Sequence, residues 1–277
     1  MFRFIQQLFR TNLLLGLGVV MCGGWIVVAL LAPVFAPYDA VDQDLSVRLS
    51  APDATHWFGT DHLGRDIFSR VIMGSRLSLV AGLITVILAL SVGAAYGAVA
   101  GYLGKTVDDI MMRLSELVLA FPPIVLAMII AASLGPSLYN TLLAMVVVLW
   151  PNYARVMRSM VISAKEDEYV EAARVIGASH IKIIFREILP NCIGPVLVMA
   201  TLDIGNAILT FAGLSFLGLG SPPPTPEWGA MVATGVTHFI YWWIGTFPGL
   251  AILSVALAAN FIGDGLRDYL DPHLSGF

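Results

Sequence analysis

The 277 residues are 58% hydrophobic and 12% charged, with a mean hydropathy of +0.83, too little polar surface to clothe a water-soluble globule. A formal net charge of −4 and two cysteines point to neither a nucleic-acid binder nor a disulfide scaffold. The chain therefore reads as one all-α membrane domain, 1–277.

Windows of roughly 20 apolar residues, enough to cross a ~30 Å hydrocarbon layer, fall at 13–35, 77–101, 107–134, 138–157, 193–219 and 246–266. The first is too long for the core of a cleavable signal peptide, and no small-residue cleavage site follows it, so a retained span is expected. "MFRFIQQLFR" ahead of it is expected to stay cytoplasmic. The segment 36–76 is expected outside. Within it "GTDHLGRDIFSR" alternates Asp61 and Asp66 with Arg65 and Arg70, the pattern of an ordered, hydrogen-bonded loop. No nucleophile and base accompany the two carboxylates, so catalysis is not expected. His56 and His62, beside Asp61, lack a metal-site spacing and read as surface histidines.

The second window contains "GAAYGAVAGYLG", whose small residues suit close helix crossing. In the third, Pro122 and Pro123 remove backbone donors and predict a kink. Glu116, in the same window, has Arg113 and Asp109 about one and two turns before it; an i, i+3/i+4 ladder would neutralise all three, and a place on a solute pathway is the other reading. After the fourth window, 159–190 is a charged cassette of two predicted short helices. Tyr169, Ala173 and Ile176 share a face at helical spacing, Gly177 supplies a left-handed or close-packed stop, and Ser179 caps the next helix. There Ile181, Ile184, Phe185 and Ile188 form an apolar stripe opposite Lys182, Arg186 and Glu187, and Pro190 ends the run. A docking element for another protein and an interfacial helix on lipid headgroups are the two readings.

Asp203 lies deep in the fifth window, where a charge costs roughly 2.5–3.5 kcal/mol on insertion scales. It is expected to face the bundle interior, either lining a pathway or hydrogen-bonding Asn206 or another subunit. Cys22 and Cys192 are expected to be packing residues. "GSPPPTPEWG" predicts a stiff external loop, "WGAMVATGVTHF" a short re-entrant or interfacial helix, and "FIYWW" amphipathic rings at the outer interface. With six spans both termini share one side. The inner segments then hold Arg3, Arg10, Lys105, Arg113, Arg155, Arg158, Lys165, Arg174, Lys182, Arg186 and Arg267, against Arg48, Arg65, Arg70 and Arg76 outside, so the termini and the cassette are expected in the cytoplasm.

Glu171, Ala172, Ala173 and Gly177, followed by Leu189 and Pro190, resemble the EAA loop of permease subunits in bacterial ATP-binding-cassette importers. "HWFGTDHLGRDIFSRVIMGSRLSL", "AGYLGKTVDDIMMRLSE", "LSFLGLG", "EWGAMV" and "GDGLRDYLDPH" resemble the second membrane subunit of the dipeptide, oligopeptide and nickel branch. Two departures stand out: Glu187 sits where the family prefers an apolar residue, and Phe211, Ala212 and Gly213 replace the glutamate many peptide permeases carry before "LSFLGLG". "TLDIG" together with the second departure looks more like nickel-transporting members. The resemblance implies a type I importer-permease fold of six spans with cytoplasmic coupling helices in the bacterial inner membrane. It further implies ATPase docking at Glu171, Ala172, Ala173, Gly177 and Ala178, a homologous permease partner, two ATPase subunits binding ATP and Mg2+, and a periplasmic solute-binding protein. No Walker A sequence occurs, so no cofactor or metal is expected on this chain. Di- or oligopeptides are the expected cargo, nickel or a nickel chelate the alternative, and a gradient-driven transporter using Asp203 the rival from another class.

Overall fold

The computed structural model describes residues 13–270; the segments 1–12 and 271–277, with Arg3, Arg10 and His273, lie outside the described residues. So do the expectations for the amino-terminal segment and for the end of "GDGLRDYLDPH". Among the described residues there are helices and loops, with one isolated bridge between Thr60 and Asp66.

The helices in chain order are α1 (Leu13–Leu30), α2 (Ala32–Phe35), α3 (Ile67–Leu103), α4 (Lys105–Leu119), α5 (Pro123–Leu134), α6 (Leu138–Ala164), α7 (Glu168–Val175), α8 (His180–Phe216), α9 (Trp228–Thr237) and α10 (Trp243–Leu270). By length and composition α1, α3, α8 and α10 can cross a membrane, and the pair α4 and α5 makes a fifth if counted as one span. The window at 138–157 forms the first part of α6, 27 residues long, whose Asn140, Asn152, Arg155 and Arg158 dilute its hydropathy.

Two boundaries differ from expectation for physical reasons. Helix α3 starts at Ile67 rather than near residue 77, because the Asp66 side chain caps it by accepting from Ser69 N–H at 2.7 Å; Arg70 and Arg76 hide that turn from a hydropathy window. The third window is two helices, not one kinked rod. The chain bends by 85° between α4 and α5, where Pro122 and Pro123 cannot donate backbone bonds and Pro123 opens the new helix.

Helix α3 packs most extensively against α6, and α8 lies against both α3 and α10. The small-residue stripe of α3 explains the first contact: a methyl added at Gly97 would overlap the backbone carbonyl of Ala154, and one at Gly93 that of Trp150. The two helices run parallel in backbone contact, a geometry that side chains larger than hydrogen forbid. Helix α1 rests on α10, where Trp25 Nε1 donates to Ser254 Oγ at 2.9 Å. Aliphatic side chains such as Leu83, Ile87, Val92, Leu30 and Leu253 remain exposed around the bundle, the surface expected where lipid or another membrane subunit replaces water.

One end of the bundle is closed by the segment before α3 together with α9 and the start of α10. Asp61 accepts from Arg65 Nε at 2.7 Å and lies 3.9 Å from Arg70 Nε, while Arg70 donates to the Ala40 carbonyl. Asp66 does not pair with an arginine; it pairs with His56 at 2.9 Å, so His56 is a partly buried structural residue, not a surface one. The His62 and His238 rings stack 5.0 Å apart, and burial pushes the His62 imidazole below its ordinary value. Helix α9 turns one face inward and leaves Val236 exposed: Trp228 is enclosed and donates to the Val71 carbonyl at 2.9 Å. Of the aromatic run, Phe239 and Trp242 face outward, whereas Trp243 turns in and donates to the Thr60 carbonyl.

Candidate functional site

The other end carries the cassette. Helix α7 ends in a Schellman turn: Gly177 N–H donates to Arg174 O at 3.0 Å and Ala178 N–H to Ala173 O at 3.1 Å. Gly177 holds φ at +79°, a conformation a β-carbon disfavours by roughly 1–2 kcal/mol. Ser179 then accepts from Lys182 N–H and α8 begins.

Pro190 does not end that helix. Residues Ile183–Ile188 form a π-helical stretch, and Leu189 N–H reaches back five residues to Ile184 O. The wider turn accommodates the proline that follows, so coupling helix and span are one rod from His180 to Phe216. The same widening shifts the apolar register. Ile183, Ile184 and Ile188 are buried, while Ile181 and Phe185, expected beside Ile184 and Ile188, are exposed.

The underside of the cassette is therefore Val170, Ala173, Ile183, Ile184 and Ile188, packed into the main core with Tyr102, Met157 and Val161. Its outer rim is Glu171, Ala172, Val175, Ile176, Gly177 and Ile181. Val175, Ile176 and Ile181 are 81%, 82% and 72% exposed. Of the residues singled out from sequence, Glu171, Ala172 and Gly177 lie on the rim, Ala178 is half-buried, and Ala173 belongs to the underside. Of the three residues expected to share a face, Ala173 is buried, whereas Tyr169 and Ile176 are exposed.

Three residues that the sequence did not single out fasten this knob to the bundle. Tyr102, at the end of α3, shares a 3.1 Å hydrogen bond with His180 Nδ1, and its ring lies 5.5 Å from the Arg174 guanidinium carbon. One buried tyrosine thus holds the end of α7 and the start of α8 together against α3.

The pathway candidates are not brought to one place. Asp203 accepts from Tyr153 Oη of α6 at 2.7 Å and has Asn206 as a second hydrogen-bonding neighbour. Glu116 instead lines a cleft of about 420 Å³ with Asp109, Met112, Arg113, Arg155 and Arg158. The expected ladder of Asp109, Arg113 and Glu116 does not form ion pairs among the described residues; the pair that forms is Arg158 with Asp108, bidentate at 2.5 and 2.6 Å. Asp108 is one residue from the ladder and on the buried face of α4, a distinction that spacing alone does not make. Among the described residues no group of three or more His, Cys, Asp or Glu is placed to hold a metal ion.

Comparison with known proteins adds the wider setting. Residues 93–276 match the family described as binding-protein-dependent transport system inner membrane component. The chain is 46% identical over 256 residues to the probable D,D-dipeptide transport system permease protein DdpC of Escherichia coli K12, covering 91% of this chain and 86% of that one. It is 45% identical over 267 residues to the dipeptide transport system permease protein DppC of Alkalihalophilus pseudofirmus, covering 96% and 88%. It is also 41% identical over 261 residues to the nickel transport system permease protein NikC of E. coli K12, covering 90% and 92%.

Proposed function

The chain belongs to the family of binding-protein-dependent transport system inner membrane components, and on that premise we propose that it moves short peptides, with its cassette rim as the seat of a cytoplasmic ATPase. Its fold is the type I importer-permease fold, and it is a multi-pass inner-membrane transport permease, not an enzyme. Peptide cargo is supported by the names of two relatives at 45–46% identity. Nickel is the second reading, favoured by the likeness to NikC. Membership of this family leaves the gradient-driven reading of Asp203 without support.

The observation that carries the coupling role is the exposed rim. Val175, Ile176 and Ile181 protrude from a cassette whose other face is fully packed, and apolar side chains on an ordered knob at the cytoplasmic end match a protein groove. In this reading a homologous permease completes the pathway, two ATPase subunits bind ATP and Mg2+ and hydrolyse it, and a periplasmic binding protein delivers the cargo. Both termini are cytoplasmic. ATPase closure pushes the rim, and because α8 is continuous from His180 the push reaches the membrane core as a rigid displacement.

Ile176→Glu tests this. The side chain touches little within the chain, so folding should shift by no more than about 0.5 kcal/mol, whereas a buried unpaired charge at the ATPase interface costs several-fold more. ATP-dependent dipeptide uptake into proteoliposomes holding the whole importer is expected to fall at least about tenfold, with normal amounts of assembled permease pair. Uptake equal to the parent's overturns the docking assignment.

A further inference from the structure

The cleft between α4 and α6 is not used by the coupling scheme. Asp109, Met112, Arg113 and Glu116 line it from α4, at spacings that share one helix face, and Arg155 and Arg158 from α6. Arg158 is committed to Asp108. Two carboxylates, Asp109 and Glu116, then face two guanidinium groups, Arg113 and Arg155, with no ion pair formed among the four. Its volume of about 420 Å³ lies in the range of small-molecule clefts, roughly 300–1,000 Å³.

Five charged side chains in one cleft cannot face acyl chains, so in the assembled importer this cleft opens to water or to headgroups. Its free charges balance. A net anion or a net cation would leave one pair of like charges unanswered; a ligand carrying both an ammonium and a carboxylate answers both. A second cavity of about 260 Å³ lies along α6, lined by Met145, Val148 and Leu149 with Pro123, Ile124, Ala127 and Thr210. Leu149 and Arg155 are six residues apart, ~9 Å along a helix, close enough for one extended ligand to set an apolar side chain in the second cavity and its charged ends in the first.

We propose that the α4–α6 cleft is a binding site for zwitterionic short peptides on their way through the importer, with Arg113 and Arg155 holding the carboxylate and Asp109 and Glu116 the ammonium group. The proposal rests on the peptide reading of the cargo. The ethanolamine phospholipid headgroup carries a similar pair of charges, phosphate and ammonium, and is the competing source.

The test uses the complete importer of both permeases and both ATPases, without binding protein or nucleotide, in nanodiscs of phosphatidylcholine and phosphatidylglycerol. Radiolabelled Ala-Phe is titrated by equilibrium dialysis beside N-acetyl-Ala-Phe and Ala-Phe-amide. Free Ala-Phe is expected to bind, and each blocked form at least about tenfold more weakly, the scale of a charged hydrogen bond. Arg113→Gln should abolish the discrimination against the amide, and Glu116→Gln that against the acetylated peptide, the signature of a direct pair. Absence of Ala-Phe binding, or binding indifferent to blocking and to both substitutions, overturns the proposal. Displacement of bound Ala-Phe by phosphatidylethanolamine in the nanodisc, with no peptide bound at the ethanolamine content of a bacterial membrane, assigns the cleft to lipid and also overturns it. Parent uptake of Ala-Phe with binding protein and ATP is measured in parallel: if uptake is normal and the cleft is blind, only this site fails, whereas loss of uptake in the parent removes the peptide reading itself.

Discussion

At Asp203 a deep carboxylate meets its donor within the same chain, and that changes what the residue is for. Tyr153 donates to it at 2.7 Å across the α6–α8 interface, an arrangement that favours the hydrogen-bonding reading of the acid. Asp203→Asn keeps an acceptor oxygen and is expected to leave ATP-dependent uptake within about twofold of the parent; Tyr153→Phe leaves the carboxylate short of a donor and is expected to cost about 1–3 kcal/mol, read as a lower thermal midpoint of the purified permease pair. Abolished uptake in Asp203→Asn would restore a direct role on the pathway. Sequence placed Asp203 inside the bundle and named Asn206 as a neighbour, but Tyr153 is fifty residues away and no local pattern announces it. Likewise Gly177 was legible because a positive φ leaves a one-letter signature, whereas helical spacing grouped Ile176 with Ala173, and the turn that Gly177 makes leaves Ile176 exposed while Ala173 is buried.

Among the elements, the latch at Tyr102 links the neighbouring helices α7 and α8 to α3, which lies far from them in chain order. Arg174 above its ring and His180 at its hydroxyl tie the cassette to α3, so in the proposed coupling a push on the rim would be shared between α3 and α8. Tyr102→Phe removes only the hydrogen bond, and Tyr102→Leu also the aromatic face that holds Arg174. Peptide moved per ATP hydrolysed is expected to fall modestly in Tyr102→Phe and several-fold in Tyr102→Leu, with ATPase docking retained. Equal coupling ratios in parent and Tyr102→Leu would show that α8 alone carries the stroke. Element starts and stops written in single residues, such as the Ser179 cap and the proline break, were legible. Pro190 was misread because a π-helical stretch absorbs it, and the start of α3 because a polar first turn dilutes hydropathy. Its glycine stripe was legible as crossing-prone, but not which helix would cross it.

On the scale of the molecule, the two ends divide the labour. The end built from Asp61, Arg65, Arg70, His56 and Trp243 is tied by ion pairs and a buried tryptophan hydrogen bond. The cassette end presents apolar side chains that no other described residue covers. The most direct measurement is labelling of Ala172→Cys and Ile176→Cys by a membrane-impermeant maleimide, in a background without Cys22 and Cys192, in sealed vesicles of both orientations. Both cysteines are expected to react only from the cytoplasmic face and to be protected once the ATPase subunits are bound. Reaction from the periplasmic face, or undiminished reaction in the assembled importer, would contradict the coupling account.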